Sequence, residues 1–154
     1  MNKITGTIIT LNAEKYIERA IKSLQSICDE VIVLDSESTD STRDIAVKSG
    51  AKVFTQSFLG DGGQKKEASK FSKNNWIFSM DADEYLANDL IEFIKTINLN
   101  DDYDSYSFRR KNFCGNEWIK AAGFYPDEVT RLYNKNIVNY DTRADHAAVS
   151  SINK

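Results

Sequence analysis

Four short apolar stretches constrain this chain more than any other feature: residues 4–11 (ITGTIITL), 30–34 (EVIVL), 51–55 (AKVFT) and 76–80 (WIFSM). Each is a largely continuous run rather than an apolar/polar alternation, the pattern of a strand covered on both faces. Helical spacing fills the intervals. Ile17, Ala20, Ile21 and Leu24 form one face within NAEKYIERAIKSLQ, and the polar SESTDSTRD opens a second helix that Thr39 or Asp40 would cap and Gly50 would end. A Gly-rich turn, LGDGG, precedes a third helix, QKKEASKFS, and DLIEFIKTI supplies a fourth. Strands alternating with helices predict right-handed βαβ units, hence an α/β fold with a mostly parallel, Rossmann-like sheet flanked by helices. After Asn98 the rhythm changes: SYSFRRKNF and VTRLYNK read as strands without long intervening helices, so the second half is expected to be mixed or antiparallel.

Composition narrows the function classes. At 154 residues, 41% apolar and 28% charged, the chain can bury the core of one domain. A formal net charge of -3 lacks the basic footprint of nucleic-acid binding. Cys28 and Cys114 are isolated thiols that suggest neither a disulfide framework nor a zinc knuckle, and His146 is the only histidine, too few for a His-based zinc site. With no signal-peptide core or membrane-span length in view, a cytoplasmic chain is expected, with room for peripheral attachment at the inner face of the cytoplasmic membrane.

In open parallel sheets, ligands bind beyond the carboxyl ends of the strands. Asn12 and Glu14 follow the first strand, Asp35 the second, and Asp81 with Asp83 the fourth, so polar clusters gather at one edge. In an extended segment Asp81 and Asp83 point the same way. Two convergent carboxylates suit Mg²⁺ or Mn²⁺, whose remaining ligands come from phosphate oxygens and water. Each of these polar residues also has an ordinary explanation: Asn12 as the cap of the first helix with Glu14 in its first turn, Asp35 in a turn, the DxD as a helix cap or solvated loop. Ser38, Thr39 and Asp40 read as capping residues without chemistry. LGDGGQKKEA satisfies neither the P-loop nor the dinucleotide fingerprint, which removes kinase-like and NAD-dependent readings. Gln64 and Lys65 either approach a phosphate or sugar or lie on solvated surface. Arg109, Arg110 and Lys111 read as a solvated strand face, and Trp118, Phe124 and Tyr125 as sugar-stackers or core.

Taken together, TIITLNAEKYIERAIKSL, VIVLDSESTDSTRDIA and WIFSMDADEYL resemble, in order and spacing, the opening strand and helix, the nucleotide-binding turn and the metal-binding DxD segment of the GT-A-fold inverting glycosyltransferases of family 2. FLGDGGQKKEA and AAGFYPDEVTRLYNK are similar to the bacterial subgroup that adds sugars, often β-linked glucose, to lipopolysaccharide cores or related surface glycans. The resemblance implies a single GT-A domain over residues 1–154, with a nucleotide-sugar-binding half at 1–98 and the incomplete start of an acceptor-binding half at 99–154. By matching position, Thr10, Asn12 and Glu14 would line the nucleotide pocket, Asp35 would hold uracil, Asp81 would meet the ribose or metal region, Asp83 would bind the metal, and Gln64 and Lys65 would face the donor. The chain departs from the family at Ile9 and Leu11, where a Pro and an aromatic are usual, at Glu37, where Gly is common, and at Ala147, where the subgroup tends to place Glu after His146. Family members usually run longer, so a fragment or truncated form is expected.

The implied reaction moves a sugar from a nucleotide diphosphate, expected to be UDP, to a hydroxyl of a glycan or lipid-linked glycan with inversion, using Mg²⁺ or Mn²⁺ on the diphosphate. Asp127, then Glu128, are the candidates for the carboxylate that takes the acceptor proton, against a turn role beside Pro126. Two alternatives stay open: a sugar-phosphate nucleotidyltransferase, although TLNAEKY is neither Gly-rich nor basic, and a donor-binding module or inactive remnant without turnover.

Overall fold

The computed structural model describes residues 3–99, 103–120, 125–142 and 148–152. Strand β1 (Ile4–Thr10) leads through α1 (Ile17–Gln25) to β2 (Glu30–Asp35), then through α2 (Thr42–Lys48) to β3 (Lys52–Thr55). Helix α3 (Asp61–Lys70), β4 (Trp76–Asp81) and α4 (Asn88–Thr96) complete the alternation. The second half supplies β5 (Ser105–Arg110), the hairpin β6 (Phe113–Cys114) and β7 (Glu117–Trp118), β8 (Asp127–Asn134), and a second small pair, β9 (Val138–Tyr140) with β10 (Val149–Ser151).

A six-stranded sheet in the order β3-β2-β1-β4-β8-β5 organises the molecule. The β1, β2, β3 and β4 pairings are parallel, whereas β8 lies antiparallel to β4 and β5 antiparallel to β8. The expected parallel first half and antiparallel continuation are therefore both present. Strand order runs outward from β1 to β3 and then returns to β4 on the other side of β1, so the carboxyl ends of β1 and β4 flank the topological switch point where such sheets form a crevice.

The register sorts the strand residues into two faces. Ile4, Ile8, Val31, Val33, Trp76, Phe78 and Met80 lie on one, and pack into a single core with Ile17, Ala20, Ile21 and Leu24 of α1, Ala46 of α2 and Ile94 of α4. These α1 residues are the ones the helical spacing selects. Gly6 permits the close approach: a Cβ there would stand 3.0 Å from Leu24 Cδ1 and 3.2 Å from Cys28 Sγ. Burial in this apolar packing pushes the Cys28 thiol far up, as expected of an inert structural cysteine.

Two local expectations change. β3 is an edge strand, exposed or half-buried along its length, because nothing pairs beyond it; it is not covered on both faces. Helix α3 begins at Asp61 rather than after the glycines, because Gly60 alone, at φ 82°, turns the chain into it. Gly62 and Gly63 are thus helical.

Candidate active site

The edge formed by the β1 and β2 turns is built by reciprocal hydrogen bonds. Asn12 N–H donates to Ser38 Oγ (2.8 Å), and its Oδ1 accepts from Thr39 N–H (2.8 Å). Ala13 N–H donates to Thr42 Oγ1 (2.7 Å), Glu14 N–H to Asp40 Oδ2 (3.2 Å), and Glu14 Oε2 accepts from Ser41 N–H (3.1 Å). Asn12 therefore does not cap α1; it adopts φ 49°, a left-handed conformation Asn tolerates, and ties the β1 turn to the β2 turn. The N-cap of α2 is Ser41 rather than Thr39 or Asp40; Asp40, one residue earlier, accepts from Thr42 N–H (3.0 Å), while Thr39 serves the latch.

Asp35, fully buried, accepts from Ser38 N–H (2.8 Å) and Ser38 Oγ (2.5 Å) at the end of β2. Its carboxylate shapes the turn and does not line the open groove described below. Glu37, where the family commonly has Gly, sits in that turn at φ 65°, the backbone region that favours glycine.

Gln64 and Lys65 are not solvated. Gln64 is wholly buried, donating to Ser36 Oγ (3.0 Å) and Gln56 O (3.2 Å) while accepting from Leu59 N–H (3.3 Å), so it braces the loop rather than facing the groove. Lys65, 3% exposed, extends its ammonium to Asp81 Oδ1 (2.9 Å) and Asp61 Oδ2 (3.4 Å).

At the end of β4, Asp81 meets a second cation. Arg131 of β8, also buried, places Nη2 3.1 Å from Asp81 Oδ2 and 2.5 Å from Glu84 Oε1. Burial pushes the Asp81 carboxyl up, but Arg131 and Lys65 outweigh it and hold it below the usual carboxylate range. For Arg131 burial opposes the charge, and Glu84 and Asp81 outweigh that too, raising its pKa. The alternation continues: Arg110 reaches Glu84 Oε1 (3.2 Å) and Asp127 Oδ2 (2.9 Å). Asp83 stands apart, exposed on the groove, and among the described residues no donor or cation engages its carboxylate.

Asp127 accepts from Asn112 Nδ2 (2.9 Å) as well as from Arg110, and those hydrogen bonds, Asn112's first, hold its carboxyl below the usual range. Glu128 is exposed and pairs with Arg109 at 3.4 Å. Neither acid lines the groove. Arg109, paired with Glu128, and Lys111, over the Trp118 ring at 5.2 Å, are exposed as expected of a solvated face, whereas half-buried Arg110 turns to Glu84 and Asp127. Trp118 and Tyr125 meet edge to face at 5.1 Å. Phe124, His146 and Ala147 lie outside the described residues.

These elements surround an open groove of about 1800 Å³ beyond the β1 and β4 ends. Thr10, Ser36, Asp81, Asp83 and Arg131 line its polar part, and Phe78 and Phe108 its apolar part. Thr10 Oγ1 is buried there without a hydrogen-bond partner among the described residues, an unmet polar atom at the switch point. Thr10, Asp81 and Asp83 are thus brought together, whereas Asn12, Glu14, Asp35 and Gln64 support the walls. Arg131 and Glu84 are additional site residues. A lone arginine in the apolar run of VTRLYNK signals a buried cation in need of carboxylates, but not which ones.

Residues 7–152 match Glycosyl transferase family 2. An uncharacterised glycosyltransferase of Rickettsia bellii is 44% identical over 142 residues, 90% of this chain and 48% of that protein. The lipopolysaccharide core biosynthesis glycosyltransferase LpsC of Rhizobium meliloti is 27% identical over 141 residues, 88% of this chain and 50% of that protein. Among solved structures, S. aureus TarS in complex with UDP-GlcNAc aligns with a TM-score of 0.53 and 27% identity, over 61% of this chain and 30% of that chain. The chain spans about half the length of the curated relatives it matches. Its architecture is the GT-A arrangement that the motifs imply. No helix among the described residues is long and apolar enough to cross a membrane.

Proposed function

Because the chain belongs to glycosyl transferase family 2, we propose that it binds a nucleotide-diphosphate sugar, UDP-linked, for transfer to a hydroxyl of a bacterial surface glycan or lipopolysaccharide acceptor with inversion. The observation that carries this reading is the free carboxylate of Asp83, exposed on the groove at the switch point of the sheet. The similarity to TarS, solved with UDP-GlcNAc, supports a UDP-sugar donor, and that to LpsC supports a lipopolysaccharide-type acceptor. Residues 1–98 are the donor half in this reading, and residues 99–154 open the acceptor half.

The donor set fits a divalent cation. An exposed carboxylate with no competing cation is what Mg²⁺ or Mn²⁺ needs from a protein when diphosphate and water complete its shell. Asp83 would hold it. Asp81 has each oxygen engaged by a cation, so in this arrangement it orients the segment rather than adding a second ligand. When bound, the ion supplies charge neutralisation to the departing diphosphate. Ser36 offers a hydroxyl to the donor, and Lys65 and Arg131 put positive charge beneath it.

Proton removal from the acceptor falls to Asp127, with Glu128 second. Asp127 is ionised, as a base must be, but its depressed pKa makes it a weak one. Arg110 and Asn112 hold it outside the groove lining, so it would serve as base only with its Arg110 pair released. That same ion pair favours the second reading, donor binding without turnover, in the chain as it stands.

Calorimetric titration of UDP into the chain and into Asp83→Ala, each with and without Mn²⁺, is the test. Tighter UDP binding with Mn²⁺ in the parent and no such gain in Asp83→Ala supports the donor site; no UDP binding under either condition sinks it.

A further inference from the structure

The segment Asp81 to Glu84 leaves the sheet where its ladder ends, so something besides the sheet must hold it. Two bonds close it on itself: Glu84 N–H donates to Asp81 O (3.1 Å), and Asp81 N–H donates to Glu84 Oε2 (3.2 Å). One cation then spans its ends. The Nη2 of Arg131 contacts Asp81 Oδ2 at 3.1 Å and Glu84 Oε1 at 2.5 Å, and the side chain is only 8% exposed. Lys65 does not duplicate this clamp, because it takes the other oxygen of Asp81 and does not reach Glu84. Arg110 touches Glu84 but not Asp81. Arg131 therefore joins the first and last acids of the segment, and Asp83 lies between them with its own carboxylate free.

Resting on the donor-site reading above, we propose that Arg131 is a positioning residue for Asp83: it clamps Asp81 to Glu84 from the neighbouring antiparallel strand, and so presents Asp83 to a divalent cation in the groove. The physical case is preorganisation. An unclamped segment of acids would repel itself and must be ordered when the ion arrives, which weakens ion binding by the cost of that ordering. An arginine suits the task because it stays charged when buried and offers several donors in a fixed fork.

A merely structural role predicts something different. Loss of folded protein lowers the apparent number of binding sites and leaves the ratio of UDP affinities with and without Mn²⁺ unchanged in the folded fraction. The positioning role changes that ratio.

The experiment is calorimetric titration of UDP into the parent chain, Arg131→Met and Arg131→Lys, each with and without Mn²⁺, with a circular dichroism melt of every variant. For Arg131→Met the metal-free affinity falls with the loss of a positive charge beneath the donor, and the gain conferred by Mn²⁺, read as the ratio of the two affinities, falls about tenfold besides, the equivalent of one lost charge-assisted contact. Arg131→Lys recovers most of that gain. A full Mn²⁺ gain in folded Arg131→Met overturns the proposal and leaves the donor site standing. If Arg131→Met does not fold, Arg131→Gln, which keeps a donor and drops the charge, is judged by the same ratio and overturns the proposal if its gain equals the parent's. Absence of UDP binding by the folded parent removes the donor-site reading, and this inference with it.

Discussion

The two faces of the central sheet are built from the same strands by different physics. On the face covered by α1, α2 and α4, the strands contribute Ile4, Ile8, Val31, Val33, Phe78 and Met80, and burial of apolar surface suffices. On the face toward α3, the register brings together Thr5, Thr7, Glu30, Ser79 and Asp81 beside Ile32, Leu34 and Ile77. Helix α3 answers with Gly62, Gln64, Lys65, Ala68 and Ser69 as its buried residues, so its packing depends on hydrogen bonds and ion pairs. Asn74 links Thr5 (3.1 Å) to Asp29 (2.6 Å), and Lys135 closes the end of α3 on Ser72 O (2.8 Å). The apolar face stabilises the fold without directional demands, whereas the polar face determines where the charged groups stand. The chemistry-bearing ladder from Lys65 through Asp81 and Arg131 belongs to the second.

The contrast is sharpest under truncation of the apolar face. Leu24→Ala, at a fully buried position against Gly6, is expected to cost about 3 kcal/mol in urea denaturation. UDP affinity of the folded fraction should not change; a large loss of affinity would break the division of labour between the faces.

A smaller effect tests the polar face. Burial pushes the Glu30 carboxyl up, but hydrogen bonds from Lys52, Lys73 N–H and Thr5 outweigh it and hold the pKa below the usual value. The sign follows: a carboxyl depressed in the folded state contributes stability above its unfolded pKa and loses it as pH falls through the folded pKa. The parent melting temperature should therefore drop on acidification through the carboxylate range, and Glu30→Gln should melt lower at neutral pH with a flatter acid limb. Parallel curves for the two proteins would remove Glu30 from the account.

The smallest effect lies at the rim between the faces. Glu37 holds φ 65°, so Glu37→Gly is expected to raise stability by up to about 1 kcal/mol, reduced by loss of the Ser57 Oγ contact to its carboxylate (3.1 Å). A clear drop in melting temperature would mean that this side-chain contact outweighs the backbone conformation.

How far the molecule is legible from its residues differs between these faces for a physical reason. Apolar periodicity is a local property, and it was enough for the strands, the buried stripe of α1 and the gathering of acids at the strand ends. Helix α3 carries no apolar stripe, so its buried side was invisible, and Gln64 and Lys65 read as surface or donor contacts when they are internal braces. Asn12 and Glu14 carried local capping patterns, but their partners lie on the β2 turn, brought close only by the parallel pairing of β1 with β2.

What the residues determined by themselves is the βαβ alternation, the edge of the sheet where the groove opens, and the placing of Asp81 and Asp83 there. What only the tertiary structure decided is which acid is free. The antiparallel entry of β8 beside β4 carries Arg131 across to Asp81 and Glu84, 50 and 47 residues away in sequence, while α3 brings Lys65 onto the same face of the sheet. Charge pairing acts through space, and no local pattern specifies which distant cation will neutralise Asp81 and leave Asp83 exposed.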